Sequence, residues 1–257
     1  MGIGALNSSF QKKGYVTADM EAHWEEAQLI RKIFAVEAAM ARTQGHMGII
    51  PQEAAEAISD NAVASDELIE KAQSGGVGNP SVAVLDALRD AIPEDQRGWV
   101  HFGATTQDIL DTARALQIKA ATDLILERLN AVIAATANLA HEHARTLMVA
   151  RTNGQYALPT TLGTRFARWN AELRRSRERL EAMRERTEQI QFTGAVGTLA
   201  SFGEQGPELS RRLAKELELV YQPVSWHASS DTMTELASTV ATLGQSLAKI
   251  AEDLFAM

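Results

Sequence analysis

The feature that most limits the fold is a helical pattern of apolar residues that continues from residue 106 to about residue 145. At 1.5 Å per residue, a helix of this length extends about 60 Å, which is too long for a compact small domain. Its apolar side chains form a stripe wide enough to pack in a helix bundle. The stripe consists of Leu116, Ala120, Leu124, Leu129, Val132 and Ile133. The remaining surface of this helix is expected to contact another subunit.

Helical periods account for most of the remaining chain, and no run of alternating β-branched residues predicts a strand. Further helices are predicted at residues 17–48, from residue 51, at 164–191, at 207–219 and from 231 to the end. The sequence therefore predicts an all-α protein, a long-helix bundle preceded by a small helical domain. We place the N-terminal helical domain at residues 1–97 and the first part of the central bundle domain at residues 98–257.

Composition limits the classes of function. The chain has 257 residues and a formal net charge of -8, which argues against nucleic acid or an anionic membrane as a partner, because both need clustered Lys and Arg. There is no cysteine, which excludes disulfides, thiolate zinc sites and a cysteine nucleophile. No secretory signal and no apolar run of about 20 residues is present, so we expect a cytoplasmic protein without a membrane span.

Polar residues gather where the long helix is predicted to begin, in the sequence HFGATTQDILDTA at residues 101–113. Gly103 permits a turn, Thr105 can cap the first backbone N–H groups, and Asp108 completes a capping box. The helix N-terminus, with two threonine hydroxyls, is suited to hold a carboxylate or phosphate. One polar face is predicted to contain Asp108, Asp111 and Thr112. The buried face is predicted to contain Ile109, Leu110, Ala113 and Leu116. Taken alone, this spacing is explained equally well by a well-capped helix.

The same stretch resembles the first shared region of the fumarase/aspartase superfamily, H-x-G-A-T-S-Q-D-x-x-D-T-A, which leads into a central helix bundle. Thr106 stands at the position of the usual serine and keeps the hydroxyl. The resemblance implies that His101 and Thr106 are catalytic, with His101 as an acid or ligand contact. It also implies that Thr105, Thr106 and Gln107 bind a substrate carboxylate or its enediolate-like intermediate.

A second stretch, ARTNGQYALPTTLG at residues 150–163, is similar to the superfamily's second shared region, which in adenylosuccinate lyase has the form R-T-H-x-Q-x-A-x-P-T-T-x-G. The resemblance implies that Arg151, Thr152 and Gln155 contact substrate. Asn153 stands at the histidine of that pattern, and an amide has no proton to exchange near neutral pH. Muconate cycloisomerases commonly carry Trp there, so the position varies with the chemistry. We expect Asn153 to hydrogen-bond a substrate carboxylate or amide.

Three shorter stretches refine the resemblance. The glycine-rich turn SGGVGNP at residues 74–80 lacks the Lys and Ser or Thr of a phosphate loop, so it is either a plain interhelical turn or, as in the muconate cycloisomerase branch, a turn whose Asn79 contacts substrate. The sequence GAVGT at residues 194–198 resembles one that occurs in both the adenylosuccinate lyase and the muconate cycloisomerase branches. Trp226 and His227 resemble the W-H-x-x-R-D of the cycloisomerases, with Ser230 in place of the arginine, which removes a carboxylate clamp.

The resemblance implies a lyase or cycloisomerase that removes a proton next to a carboxylate and eliminates a leaving group, or runs the reverse addition. The nearest expectation is a reaction like that of 3-carboxy-cis,cis-muconate cycloisomerase, which closes a lactone. It implies a small-molecule carboxylate substrate, no metal or organic cofactor, and a homotetramer whose sites take loops from three subunits. Two alternatives stay open: adenylosuccinate lyase releasing fumarate, and a non-catalytic helical assembly or binding module, which Asn153 and Ser230 favour.

The catalytic base of the resembled family is a serine in a flexible loop of the form G-S-S-x-M-P-x-K-x-N-P. That loop follows the helix that begins here at Asp231, and the sequence ends at Met257 within this helix and without a helix stop signal. We therefore expect the sequence to be the first part of a longer protein, and this portion alone to be inactive.

Overall fold

The computed structural model describes residue 12 and residues 14–75 and 80–257, and the all-α prediction is confirmed. These residues form nine α-helices, two short 3-10 helices at Arg97–Trp99 and Ala200–Gln205, and one small hairpin. The helices are α1 (Ala18–Trp24), α2 (Glu26–His46), α3 (Gln52–Asn61), α4 (Asp66–Ser74), α5 (Pro80–Asp90), α6 (Thr106–Glu142), α7 (Leu162–Thr187), α8 (Gly206–Glu216) and α9 (Asp231–Phe255). The strands are β1 (Leu147–Thr152) and β2 (Gln155–Thr161). Within the described ranges, no helix has the apolar length that crossing a bilayer requires.

The chain divides into two compact units. The first contains residues 1–121 and 188–229, and the second contains residues 122–187 and 230–257. The N-terminal part of α6 belongs to the first unit and its C-terminal part to the second. The predicted domain boundary near residue 97 stays a prediction.

The first unit is built around α2. Its buried face includes Ile33 and Phe34, which are fully buried, and burying a side chain of this size stabilises the fold by about 1.5–3 kcal/mol. Gly45 allows α3 to approach α2 closely, because a Cβ at this position would lie 2.5 Å from the Cβ of Ala55. The core continues through apolar side chains of α6, α8 and the segment before α8. These include Ile109, Phe192, Leu209 and Leu213.

The predicted helix at residues 17–48 is in fact two helices. The chain breaks at Glu25, whose ψ of 147° is extended, so that α1 ends and α2 begins. A break leaves carbonyl groups without helical partners at the end of α1. The buried Gln117 side chain of α6 compensates by donating from Nε2 to the His23 carbonyl at 2.9 Å.

The second unit packs α7 against α9. Leu173, Leu180 and Met183 of α7 are fully buried in the same apolar cluster as Leu243 and Ile250 of α9. Polar contacts fix the pair: the indole Nε1 of Trp169 donates to Asp253 at 2.9 Å, and Lys249 lies 2.9 Å from Glu172. The other ends of the same helices are joined by the ion pair of Arg186 and Glu235.

The prediction that the chain contains no strand was wrong, because β1 and β2 form an antiparallel hairpin at residues 147–161. Asn153 and Gly154 connect the strands, and their φ angles of 52° and 75° are those of a two-residue type I′ turn. A bulge between Val149 and Arg151 interrupts the register. Pro159 is tolerated because each strand of a two-stranded sheet is an edge strand.

Candidate active site

The turn that precedes α6 has an uncommon backbone. His101 has a φ of 62° and Gly103 a φ of 72°, so two of three consecutive residues occupy the left-handed region. For a residue with a Cβ this conformation costs about 1–2 kcal/mol, and it persists only where neighbouring groups impose it. The contacts of this turn therefore identify the residues that position His101.

A buried glutamate holds the His101 ring. Nδ1 of His101 lies 2.7 Å from Oε1 of Glu37, which projects from the buried face of α2 and has no exposed surface. The second oxygen of Glu37, Oε2, is also buried and has no hydrogen-bond partner in the described part of the chain. The His101 side chain keeps 14% of its surface exposed, so its ring is accessible at one side and held at the other.

Two further contacts hold the same turn. Gln44, which lies two helical turns after Glu37 on the same face of α2, donates from Nε2 to the Phe102 carbonyl at 2.9 Å. The Phe202 ring covers Gly103 so closely that a Cβ there would lie 2.4 Å from its Cζ. The left-handed turn is therefore fixed by a carboxylate, an amide and an aromatic ring.

The sequence predicts Asp108 on a polar face distinct from the buried face of α6, but in the structure Asp108 is completely buried. Its carboxylate accepts backbone N–H groups from Thr105 at 3.1 Å, from Thr193 at 2.9 Å and from Gly194 at 3.1 Å. The bond from Thr105 is one arm of the predicted capping box. Burial raises the pKa of Asp108 above its ordinary value, although the N–H groups of Thr193, Thr105 and Gly194 and the Gln191 side chain lower it.

Thr112, one turn further along α6, repeats this connection. Its hydroxyl donates to the Gln191 carbonyl at 2.8 Å and accepts the Gln191 N–H at 3.1 Å. Thr112 is fully buried and Asp111 nearly so. The predicted polar face of Asp108, Asp111 and Thr112 is therefore buried inside the protein. Asp108 and Thr112 thus fasten the segment at 191–194 onto the start of α6.

The predicted contact residues Thr105, Thr106 and Gln107 lie half-buried in the first turn of α6, immediately after the His101 turn. The first residues of a helix carry N–H groups without helical partners and the positive end of the helix dipole. With Asp108 engaged inside the protein, these three side chains are the polar groups that remain at the surface of the helix start. His101, Thr105, Thr106 and Gln107 therefore lie in one continuous, partly exposed segment of the first unit, and their roles stay a prediction.

The segment with Trp226 and His227 is joined to the same part of the first unit. The Trp226 indole donates to the Ile190 carbonyl at 2.9 Å, and its backbone N–H donates to the Gln191 side chain at 3.1 Å. Nδ1 of His227 contacts the Ser225 hydroxyl and lies 3.4 Å from Nε2 of Gln191. Buried Gln191 thus connects Thr112 of α6 with Trp226 and His227, a role that the sequence did not predict.

The remaining predicted contacts lie at the tip of the hairpin in the second unit. Thr152 pairs with Gln155, and Arg151 pairs with Tyr156, whose ring centroid lies 5.4 Å from the guanidinium carbon. Arg151, Thr152, Asn153 and Gln155 are all exposed. Asn79 lies outside the described residues, so its predicted role stays a prediction.

The sequence did not identify Glu37 as a candidate site residue, although its position among apolar residues could have indicated one. Glu37 is a charged residue at helical spacing from the apolar residues Ile33, Phe34 and Ala41. A carboxylate at such a position must find a partner when it is buried. That partner is His101, 64 residues later, which no local pattern could identify.

Comparison with known proteins gives the family. Residues 5–257 match a family model whose description is "Lyase". The chain belongs to the fumarase/aspartase superfamily. The sequence-based recognition of this superfamily is therefore confirmed.

Individual members of the superfamily resemble the chain over nearly its whole length. It is 36% identical to the N-acetyl-S-(2-succino)cysteine lyase of Dickeya dadantii over 245 residues, 93% of this chain and 53% of that protein. It is 38% identical to the adenylosuccinate lyase of Methanocaldococcus jannaschii over 239 residues, 92% of this chain and 52% of that protein. The chain spans about half the length of the curated relatives that it matches.

A solved structure adds a lactonizing enzyme to the comparison. The crystal structure of 3-carboxy-cis,cis-muconate lactonizing enzyme from Pseudomonas putida has a TM-score of 0.88 at 30% identity, and the match covers 96% of this chain and 57% of that one. The superfamily members that resemble this chain thus include lyases that act on succinyl compounds and a lactonizing enzyme, as their names state.

Proposed function

We propose that the protein is a lyase or cycloisomerase that acts on a carboxylate-bearing, succinyl-like or muconate-like small molecule. The reaction removes a proton from the carbon next to a carboxylate and expels a leaving group, or runs the reverse addition. The observation that carries the proposal is a helix start with half-buried Thr105, Thr106 and Gln107 directly after a strained turn whose His101 is held by Glu37.

This arrangement suits a substrate with a carboxylate. Free N–H groups at the N-terminus of α6, together with the hydroxyls of Thr105 and Thr106, can donate hydrogen bonds to carboxylate oxygens. Proton removal next to that carboxylate moves negative charge onto it, so the same donors stabilise the intermediate more strongly than the substrate. Gln107 can add an amide donor. We assign Thr106 to the catalytic set because its hydroxyl stands in the first turn, where this charge develops.

In the elimination, a general base takes the proton as the C–H bond next to the carboxylate breaks, a role that the resembled family gives to a serine. The electron pair of that bond forms the new double bond, and the bond to the leaving group breaks with its electrons on that group. A protonated His101 can give its Nε2 proton to the leaving group, or in the reverse addition take it back. Cycloisomerisation uses the same parts, with a carboxylate of the substrate as the group that adds.

The hairpin tip supplies a second set of groups for substrate. Arg151 presents a planar guanidinium suited to a carboxylate, while Thr152, Asn153 and Gln155 present hydroxyl and amide groups on an exposed turn. We propose that these residues bind substrate, and that Asn79 does so too. A reaction like that of 3-carboxy-cis,cis-muconate cycloisomerase is our first candidate, and adenylosuccinate lyase chemistry is the second.

The proposal is tested with the protein produced from its complete native gene. It is incubated with 3-carboxy-cis,cis-muconate, adenylosuccinate and N-acetyl-S-(2-succino)cysteine, and lactone and fumarate formation are followed by absorbance and mass spectrometry. Lactone formation supports the cycloisomerase, and fumarate release from one succinyl compound supports a lyase of that specificity. Failure to turn over these and a wider panel of substituted succinates, by a folded protein, would favour the non-catalytic assembly module.

We also propose that the protein assembles as a homotetramer with shared sites. Large apolar side chains lie exposed in the second unit, on the hairpin and on α9, as expected for surfaces that another subunit covers. Among them are Leu147, Tyr156, Leu158, Leu247 and Phe255. Light scattering coupled to gel filtration should give four times the protomer mass measured under denaturing conditions, and a monomer at micromolar concentration would refute the assembly.

A further inference from the structure

We propose that Glu37 is a positioning residue that fixes His101 in the Nδ1–H tautomer. Nε2 is then the ring nitrogen that interacts with the substrate. This inference deepens the proposed function and rests on it for its catalytic consequence. It concerns a residue of α2, 64 positions before His101, that lies outside the two motif stretches.

The geometry supports a carboxylate that accepts from the ring. The 2.7 Å separation of Nδ1 and Oε1 is that of a short, charge-assisted hydrogen bond. An ionised carboxylate can only accept, so the proposal places the proton on Nδ1, and Nε2 is the nitrogen that Glu37 does not contact. The bond that one ring nitrogen makes decides the protonation of the other. Glu37 therefore determines which nitrogen is available for chemistry.

The burial of Glu37 is difficult to explain by packing alone. Its side chain is fully buried, and Oε2 has no hydrogen-bond partner in the described residues. Such a group costs stability, and a Leu of similar volume would pack on α2 without that cost. The Glu37 carboxylate destabilises the fold but orients a strained, partly exposed histidine. Costly arrangements of this kind are typical of functional sites.

The neighbouring contacts restrict the ring further. Gln44 and Phe202 hold the two residues that follow His101, at the Phe102 carbonyl and at Gly103, so a change in the left-handed φ of His101 would disturb both contacts. With the backbone fixed by α2 and the ring fixed by Glu37, His101 presents Nε2 in one direction. When a protonated His101 gives its Nε2 proton to a leaving group, it becomes the same Nδ1–H tautomer that Glu37 already stabilises.

The tautomer can be measured without any assumption about substrate. Long-range ¹H–¹⁵N correlation spectra of protein labelled with ¹⁵N-histidine are recorded at alkaline pH, and His101 is assigned by the signal that His101→Asn removes. Wild-type His101 should show a protonated Nδ1 and an unprotonated Nε2. Glu37→Leu should convert it to the Nε2–H form, which an unconstrained imidazole favours. Where Glu37→Leu does not fold, the wild-type spectrum alone decides.

The matched control is Glu216→Gln. Glu216, at the end of α8, contacts Arg42 and Thr43 of α2, so this variant neutralises a carboxylate that contacts α2 without touching the His101 ring. A wild-type Nε2–H form, an unchanged tautomer in Glu37→Leu, or the same conversion in Glu216→Gln would each overturn the assignment.

The catalytic consequence is tested separately. In the complete protein, Glu37→Gln should lower kcat by about 100-fold and change KM by less than about threefold, because the charge partner of His101 acts in the transition state more than in binding. Equal kcat values in wild type and Glu37→Gln would overturn the positioning role. If no substrate is turned over, the proposed function fails, whereas the tautomer measurement still decides the pairing of Glu37 with His101.

Discussion

The carboxylate of Asp108 lies 2.9 Å from the backbone nitrogen of Thr193, a residue 85 positions later in the chain. The same carboxylate accepts the N–H groups of Thr105 and Gly194. One buried side chain therefore caps the first turn of α6 and attaches the GAVGT segment to it. This contact gives the polar start of the long helix a structural role that is separate from ligand binding.

Asp108 should make stability depend on pH in an unusual direction for an aspartate. Because burial raises its pKa in the folded state, the folded protein holds a proton that the unfolded chain loses near pH 3.8. The stabilisation from the protonated form is complete below that pH and is lost as the pH rises through the raised pKa. Relative to Asp108→Asn, the wild type should therefore gain stability as the pH falls from 7 towards 4.

Urea unfolding of both proteins at several pH values measures this difference. The other carboxylates are the same in both proteins, so their contributions cancel in the difference between the two free energies of unfolding. A wild-type advantage that shrinks on acidification would mean that the N–H groups of Thr105, Thr193 and Gly194 outweigh burial and lower the pKa of Asp108.

Thr112→Val should destabilise the protein by about 1–3 kcal/mol, because it leaves the buried N–H and carbonyl of Gln191 without the hydroxyl that bonds both. The matched control is Thr242→Val on α9, where an exposed hydroxyl bonds to the Ser238 carbonyl one turn earlier. Denaturant unfolding should show a change within about 0.5 kcal/mol for the control. Equal losses in the two variants would contradict the proposed bridge.

Gly103 and Gly244 should respond oppositely to alanine. Gly103→Ala forces a Cβ to within 2.4 Å of the Phe202 ring at a φ of 72°, so we expect a loss of about 3 kcal/mol or more. Gly244 lies inside α9 with nothing within 4 Å of a Cβ, so Gly244→Ala should gain about 0.5–1 kcal/mol. Thermal unfolding of the two variants checks both signs, and a stable Gly103→Ala protein would show that the turn is not tightly held.

The hairpin turn predicts an asymmetry between its two central residues. Gly154→Val should weaken the hairpin, because a β-branched residue is strained at a φ of 75°, whereas Asn153→Gly should be tolerated. Hydrogen exchange of the amides at residues 147–161 measures this locally. Comparable protection in wild type and Gly154→Val would contradict the type I′ turn.

His101→Ala and Thr106→Ala should each lower kcat/KM of the complete protein by at least about 100-fold while leaving its assembly intact. His46→Ala is the matched control, because His46 is an exposed histidine at the end of α2 with no place in the proposed site. Steady-state rates and gel filtration of all three variants give the comparison. Wild-type rates in His101→Ala and Thr106→Ala would refute the proposed catalytic set.

The sequence predicts the helices well because their signals are local. Apolar spacing places α6 and α9, and the polar start of α6 appears directly in the order of residues 101–113. The hairpin was missed although Asn153 and Gly154 form a strong turn signal, because Pro159 and the small residues around it do not resemble a strand. The turn chemistry, not the strand composition, determined the structure there.

Long-range polar pairing could not be predicted in the same way. Asp108 was expected to cap a helix and does so, but Thr193 and Gly194 come from a segment that no local pattern brings near. Glu37 and His101 pose the same difficulty, since each looks ordinary within its own helix or turn. Such pairs depend on how α2, α6 and the chain after α7 pack, which sequence spacing does not reveal.

The attachment of Thr193 to Asp108 also bears on how the protein folds during synthesis. α6 can form from local contacts as soon as it emerges, but its buried carboxylate must wait 85 residues for the backbone donors that satisfy it. Until then the Asp108 carboxylate has the Thr105 N–H as its local donor, and the apolar surface that Phe192 and Phe202 cover in the folded core stays exposed. The nascent chain is therefore vulnerable to aggregation in this interval, and the His101 turn becomes surrounded by its final neighbours only after the segment at 191–203 has been made.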